Sequence, residues 1–427
     1  MVRAFRSTRR KSSLYALALA LSGGAAFGMT ALAPATAAAQ EQELPDPSSG
    51  FAEVYTEAVP LVQGETADFQ AARAAIPNMT AAIENNRDRD LAGRYMLAVG
   101  SELSDRPLQR QGIELRLQGG LVPADQLGVL NWYAGNFALE VDDYEASRAF
   151  LNAALAAGYT EEGVDIVNLI ARTYMEQGDD LGSYNFLTGA IAEADAAGNA
   201  VPEAWLRNSL QYVYEEAMVT EALDIVLRLV NDYPSERSWT DGLRIMEQIL
   251  PVSDDAAVDL YRLMAARGAL VDRSAMVRYI EEIDPRLMSN EVLDILQLGL
   301  AEGEFTAGDS YYTEVQGIAQ NRASVDRNGI GTIISEARNG DALDAMNAGD
   351  VLYSLDDYAQ AEEMYELGLE RGFDANVANM RIGINQAMQG KHDEALTSFA
   401  AVAGERQPIA ALWAAHVEAM HAGAGTM

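Results

Sequence analysis

At 427 residues, 49% of them hydrophobic, the chain can bury ample apolar surface and is too long for one ordinary compact core, so several domains or a repeat array is expected. Twelve prolines and a 22% charged fraction exclude wholesale disorder, while 7% aromatics amid abundant Ala and Leu favour helix over sheet. With 64 acids against 30 bases, a formal charge of −34 and no cysteine, the chain is a poor fit to nucleic acid or anionic membranes, and it has no disulfide, thiolate or cysteine-lipid chemistry.

Residues 1–39 differ from all that follows. MVRAFRSTRRKSS carries five cations and no acid, LYALALALSGGAAFGMTAL is apolar, and APATAAAQ ends in the small-residue step Ala37-x-Ala39. This pattern predicts a secretory signal peptide cleaved before Gln40, and hence a periplasmic protein. Leu14 to Ala33 is also about long enough to span a bilayer, so a form anchored in the inner membrane is the alternative. Without the leader, 25 bases face 64 acids, a formal charge of −39, and direct membrane binding is not expected.

Residues 40–50, QEQELPDPSSG, read as a flexible mature N-terminus. Residues 51–89 contain short amphipathic stretches broken by Pro60 and Pro77, an atypical helical lead-in.

From residue 90 to 405 the chain repeats itself. DYAQAEEMYELGLERG (Asp357 to Gly372) and HDEALTSFAAVAGER (His392 to Arg406) align on Ala361 and Ala395, 34 residues apart, and each alanine follows a glycine by twelve residues, Gly349 and Gly383. The same pairing of small residues occurs at Gly100/Gly112, Gly135/Ser147, Ala171/Ser183 and Gly317/Gly329, with a bulky residue four positions later at Leu151, Leu187, Ile333, Tyr365 and Phe399. Antiparallel helices approach closely where one presents little side chain, so the pattern predicts about nine helix hairpins, each stacking on the next. Pro408 opens a helix over 406–421 that should cap the last repeat, leaving 422–427 as a tail.

GDVLYSLDDYAQAEEMYELGLERGF (Gly349 to Phe373), GINQAMQGKHDEALTSFAAV, GNFALEVDDYEASRAFLNAAL and ARTYMEQGDDLGSYNFLTGAI resemble the tetratricopeptide repeat (TPR) family, including its loop signature as DDY at 142–144 and 356–358. The resemblance implies an all-α, right-handed superhelical solenoid of antiparallel helix hairpins, whose first helices line a concave groove that binds partner segments. The family's offsets select Trp132, Asn136 and Leu139, then Asn168, Arg172 and Met175, then Arg207, Gln211 and Tyr214 as groove residues. An Asn, Arg and Gln ladder flanked by aromatics suits an extended peptide or its carboxylate, although Arg172 and Arg207 could instead pair with neighbouring acids. The family's lysine-rich carboxylate clamp is missing, since Lys391 is the sole lysine after the leader.

Catalytic chemistry is thinly represented. His392 stands where the repeat places a ring, and His416 and His421, five apart, do not share a helix face as a metal pair would. The acidic runs NRDRD (86–90) and SDDAAVD (253–259) lack the pattern of a calcium loop and read as solvated helix faces or N-terminal turns, and no phosphate-binding or nucleophile motif occurs. The expectation is a non-enzymatic scaffold without metal or cofactor that binds another protein or peptide segment of the cell envelope. A carboxylate-using periplasmic enzyme or enzyme subunit is the alternative.

Overall fold

The structure, a computed structural model, describes residues 44–424; the leader, its cleavage point and positions 40–43 and 425–427 lie outside the described residues. The described chain contains 20 α-helices and two short 3₁₀ turns, and there is no strand among the described residues. It divides into two compact units, Met1–Ala190 and Ile191–Met427.

The first unit holds α1 (Ser49–Ala58), α2 (Phe69–Ala81), α3 (Asn86–Glu102), α4 (Arg106–Gly119), α5 (Ala124–Leu139), α6 (Tyr144–Ala156), α7 (Ile166–Gln177) and the first part of α8 (Asp180–Ala196). Pro77 lies inside α2 and does not end it, because Ala72, Ile76 and Met79 pack on one buried face and outweigh the missing N–H. The segment expected to be flexible is ordered by residue 48. Asp88 accepts hydrogen bonds from Ser48 N at 2.9 Å and Ser48 Oγ at 2.8 Å, and α1 begins at the next residue with Phe51 fully buried.

Antiparallel pairing and the use of small residues are both visible in α3 and α4. Gly119 at the end of α4 faces Asn86 at the start of α3, and Gly100 near the end of α3 faces Gln109. Gly112 therefore pairs with Gly93 and not, as the spacing suggested, with Gly100: a Cβ on Gly112 would lie 2.7 Å from the carbonyl oxygen of Gly93. In the stronger repeats the bulky residue sits directly on the glycine of its own hairpin. A Cβ on Gly135 would meet Leu151 Cγ at 2.7 Å, one on Gly349 would meet Tyr365 Cε1 at 2.5 Å, and one on Gly383 would meet Phe399 Cε1 at 2.7 Å. Ser147 adds a hydrogen bond from its hydroxyl to the Gly135 carbonyl at 2.8 Å.

The DDY motif is a turn device. Asp142 and Asp356 both adopt φ 60°, and each accepts a hydrogen bond from the tyrosine two residues on, at 3.1 Å from Tyr144 and 2.6 Å from Tyr358. The second aspartate, Asp143 or Asp357, caps the following helix.

The second unit continues with the rest of α8, then α9 (Glu203–Glu215), α10 (Val219–Asp232), α11 (Glu236–Ile249), α12 (Asp254–Ala266), α13 (Arg273–Ile283) and α14 (Ser289–Glu302). It ends with α15 (Ser310–Asn339), α16 (Ala342–Ser354), α17 (Tyr358–Glu370), α18 (Ala375–Met388), α19 (His392–Ala400) and α20 (Gln407–Ala424). The 30-residue α15 replaces the hairpin expected from Gly317 and Gly329; both glycines lie mid-helix with open space around them. No residue between them takes the left-handed conformation that closes most of the other turns.

Within this unit the helices form two layers. Helices α10 and α12 meet α20, α12 also meets α18, and α14 meets α16, whereas on the other side α15 meets α17. Burial follows the same division. Eight of the residues from Ala256 to Met264 of α12 and every residue from Met380 to Ala387 of α18 are buried, so these helices are covered all round. In α9 and α11 only a stripe is buried, Leu206, Ser209, Leu210 and Val213 in one and Ser238, Trp239, Gly242, Leu243 and Met246 in the other. The helices brought against α20 thus include second helices of hairpins, α10 and α12, beside α18, a first helix, whereas the repeat resemblance places only first helices on the inner side.

Helix α20 covers the last hairpin and is itself enclosed, with Ile409, Leu412, Trp413 and Val417 fully buried. Trp413 donates its indole N–H to the Asp259 carbonyl at 2.8 Å, Arg406 at the foot of the helix pairs with Asp255 and Asp259, and Glu405 accepts from Ser253. His416 lies edge-on to Trp239 and Trp413, and its buried Nδ1 has no hydrogen-bond partner. Burial, then nearby Arg267 and His392, lower its pKa to about 4. The unfolded chain binds this proton from about pH 6.5 downward and the folded chain does not, so the neutral-imidazole fold is fully stable above 6.5 and weakens as the pH falls towards 4. The expected loss is about 3 kcal/mol, read as the pH-dependent part of urea-unfolding stability that disappears in His416→Phe.

Candidate partner-binding groove

The seven residues selected from the repeat offsets fall in both units. In the first, Trp132 and Asn136 lie on α5, and Asn168 and Arg172 on α7. Trp132 is half-buried with its ring 4.7 Å from that of Tyr133 and 5.7 Å from that of Tyr159, and its indole N–H has no hydrogen-bond partner. The Asn136 amide donates back to the Trp132 carbonyl at 2.8 Å, and Leu139 is buried. Asn168 is half-buried in the first turn of α7, where its backbone N–H donates to the capping Asp165. Arg172 is exposed and engaged by Glu176 one turn on, at 2.6 Å from Nη2. This half of the expected ladder is therefore largely occupied by local interactions.

In the second unit, Arg207, Gln211 and Tyr214 share one face of α9 and form a wall of an open groove of about 380 Å³. The opposite wall is the exposed face of α11, with Arg237, Asp241, Arg244 and Gln248; Leu210 and Ile245 supply the apolar floor. This face of α11 is the one turned away from buried Trp239, Gly242 and Met246. Arg207 is fully engaged: Nε donates to Glu203 at 2.6 Å, Nη1 to Asp241 at 3.0 Å and Nη2 to Ser238 Oγ at 3.1 Å. Tyr214 donates to Gln248 at 2.5 Å, and Gln211 donates to Glu215 at 3.1 Å.

Arg237, Arg244 and Gln248 escaped sequence reasoning, although a signal for them was present. Asp241, Ile245 and Gln248 stand 34 residues after Arg207, Gln211 and Tyr214, the period of the strongest repeats, so a second helix carries the same face forward. The two added arginines are the open ones. Arg237 has a side chain 77% exposed and among the described residues pairs only with Asp241, at 3.2 Å, while Arg244 stands 3.9 Å from Asp272, beyond hydrogen-bond distance. The groove thus joins an apolar floor to guanidinium donors that hold unsatisfied capacity, a chemistry suited to carboxylates and peptide carbonyls.

Among the described residues, no group of three His, Cys, Asp or Glu side chains is placed to hold a metal ion, and no helix is long and apolar enough to cross a membrane. The fold does bring together two histidines that sequence spacing kept apart, with His392 Nδ1 3.4 Å from His421 Nδ1. Compared with known proteins, the chain matches no protein-family model and no curated protein.

Proposed function

We propose that this protein is an exported interaction scaffold of the bacterial cell envelope, built from TPR-like hairpins, and that the α9/α11 groove holds an extended, carboxylate-bearing segment of another envelope protein. The observation that carries the reading is the pair of arginines, Arg237 and Arg244, with uncommitted donors in a groove on a chain of charge −34. On so acidic a surface a local cationic face is a specific feature, and it meets the partner's carboxylates without giving the protein general affinity for anions. Two further features support it. Helix α20 already covers α10 and α12, so the outward faces of α9 and α11 are the repeat surface left open there. The groove also repeats its register over 34 residues, which matches an extended ligand crossing successive hairpins.

The test is a photo-crosslinking side chain at Gln211 in the exported protein, with and without Arg237→Glu and Arg244→Glu. The double reversal is expected to weaken capture of the partner at least about tenfold while leaving the thermal unfolding curve in place, since both side chains are exposed. Capture that is indifferent to the reversal removes the groove from the reading.

A further inference from the structure

Across the inner layer of the second unit lies a smaller recess of about 190 Å³, separate from the groove and framed by α12, α13, α14, α16 and the turn into α17, with Met388 of α18 at its edge. We propose that this recess is a binding site for an organic cation, an alkylammonium or guanidinium group.

The recess contains one cation against three carboxylates, and the cation is already used. Arg262 makes a two-pronged pair with Glu291, Nε to Oε1 at 2.9 Å and Nη2 to Oε2 at 3.1 Å, and Tyr279 donates to the same carboxylate at 2.5 Å. The guanidinium also lies over the Tyr353 ring, 4.0 Å from its centre. These contacts neutralise the back wall. Asp294 and Asp356, nearer the mouth, have no ion-pair partner among the described residues; Asp356 accepts only the Tyr358 hydroxyl. Burial, followed by the charges of Asp356 and Glu291, raises the pKa of Asp294 against the pull of Arg327, as expected for negative charge left uncompensated.

A second observation points to a ligand independently of the carboxylates. Tyr353 is only 9% exposed and lines the recess, yet its hydroxyl makes no hydrogen bond to any described residue. The hydroxyl is thus a free donor and acceptor at the recess, available to an entering N–H group. Tyr358, whose ring stands 5.4 Å from that of Tyr353, adds an aromatic face, and Leu298 and Met388 offer an apolar border for an alkyl stem. Tyrosine faces, two unpaired carboxylates and no three-ligand cluster favour an organic cation over a metal ion.

The cation could belong to a free amine or to a basic side chain of a peptide, and titration calorimetry on the full chain separates them with two probes, cadaverine and Nα-acetyl-lysine methylamide. At least one is expected to bind in the millimolar range or tighter. Asp294→Asn should weaken it about tenfold and Asp294→Asn with Asp356→Asn about a hundredfold. Asparagine tolerates the left-handed conformation of position 356 and can still accept from Tyr358, so the double variant should keep its fold, checked by its circular dichroism melting curve. Binding of the blocked lysine alone assigns the site to a peptide side chain, and binding of cadaverine alone to a free amine. Binding by neither probe, or binding that the folded double variant retains, overturns the proposal, as does equal binding of Nα-acetyl-norleucine methylamide, which lacks the charge.

Discussion

Gly112→Ala is expected to destabilise the first unit by about 3 kcal/mol, whereas Gly317→Ala and Gly329→Ala should each stabilise the second by about 0.5–1 kcal/mol. One added methyl group thus acts in opposite directions according to what faces it. At Gly112 the new Cβ would meet the Gly93 carbonyl oxygen at 2.7 Å and the Leu97 backbone nitrogen at 3.0 Å. Backbone cannot rotate away as a side chain can, so α3 and α4 must separate, and the packing of Leu97 and Ile113, both fully buried, loosens with them. At Gly317 and Gly329 nothing lies within 4 Å, both positions are inside α15, and alanine only narrows the unfolded ensemble. Gly383→Ala should fall between, at about 1–2 kcal/mol, because the obstacle is a ring edge of Phe399 that can shift. Urea-unfolding midpoints at constant slope give the comparison. A neutral Gly112→Ala, or a Gly317→Ala as damaging as it, would sink the account of why small residues recur.

That contrast also shows how far the architecture could be read from residues alone. Pairs of small residues twelve apart locate hairpins where a bulky residue follows and a turn residue lies between, as with Gly349, Asp356, Ala361 and Tyr365. Gly317 and Gly329 satisfy the spacing and the bulky residue but lack the turn, and the stronger local rule, an uninterrupted helix, wins. The layers of the second unit were not legible, because they depend on contacts between helices far apart in sequence, such as α12 with α20. For the same reason the acidic runs were misjudged. Asp88, Asp90 and Asp259 read as belonging to solvated helix faces or N-terminal turns, and Asp88 is indeed a helix-start residue, yet all three are fully buried. Besides local partners such as Arg87 and Arg94 for Asp90, they have distant ones: Ser48 for Asp88, Arg116 for Asp90, and Arg406, 147 positions away, for Asp259. Of the groove, the α9 wall was legible through the family offsets, and the α11 wall required following the 34-residue period one helix further.

Arg406→Met should cost about 3–5 kcal/mol in the second unit, and adding Asp259→Asn should restore at least about 1 kcal/mol of it. Buried charges of this unit are linked through exposed Asp255: Arg381 holds Asp350 at 2.8 Å and Asp255 at 2.6 Å, and Arg406 holds Asp255 and, at 3.1 Å, Asp259. Asp259 is fully buried. Burial raises its pKa, the charges of Arg381, Arg262 and Arg406 pull the other way, and the ion pair with Arg406 favours the charged form. With Arg406 gone, the closest remaining cation is Arg262 Nη1 at 3.8 Å, already committed to Glu291. A charged carboxylate would then stand in the interior without an adequate partner, a state more costly than having neither charge. Asparagine at position 259 removes that charge at nearly constant volume, so the double variant should be more stable than Arg406→Met alone. Because Trp413 donates to the Asp259 backbone carbonyl and Arg406 stands at the foot of α20, the damage should appear first in that helix. Faster hydrogen exchange across residues 409–417 and a red-shifted tryptophan emission are the expected signs. If the double variant is no more stable than Arg406→Met, the charge of Asp259 is not what Arg406 balances, and α20 is held by its apolar contacts alone.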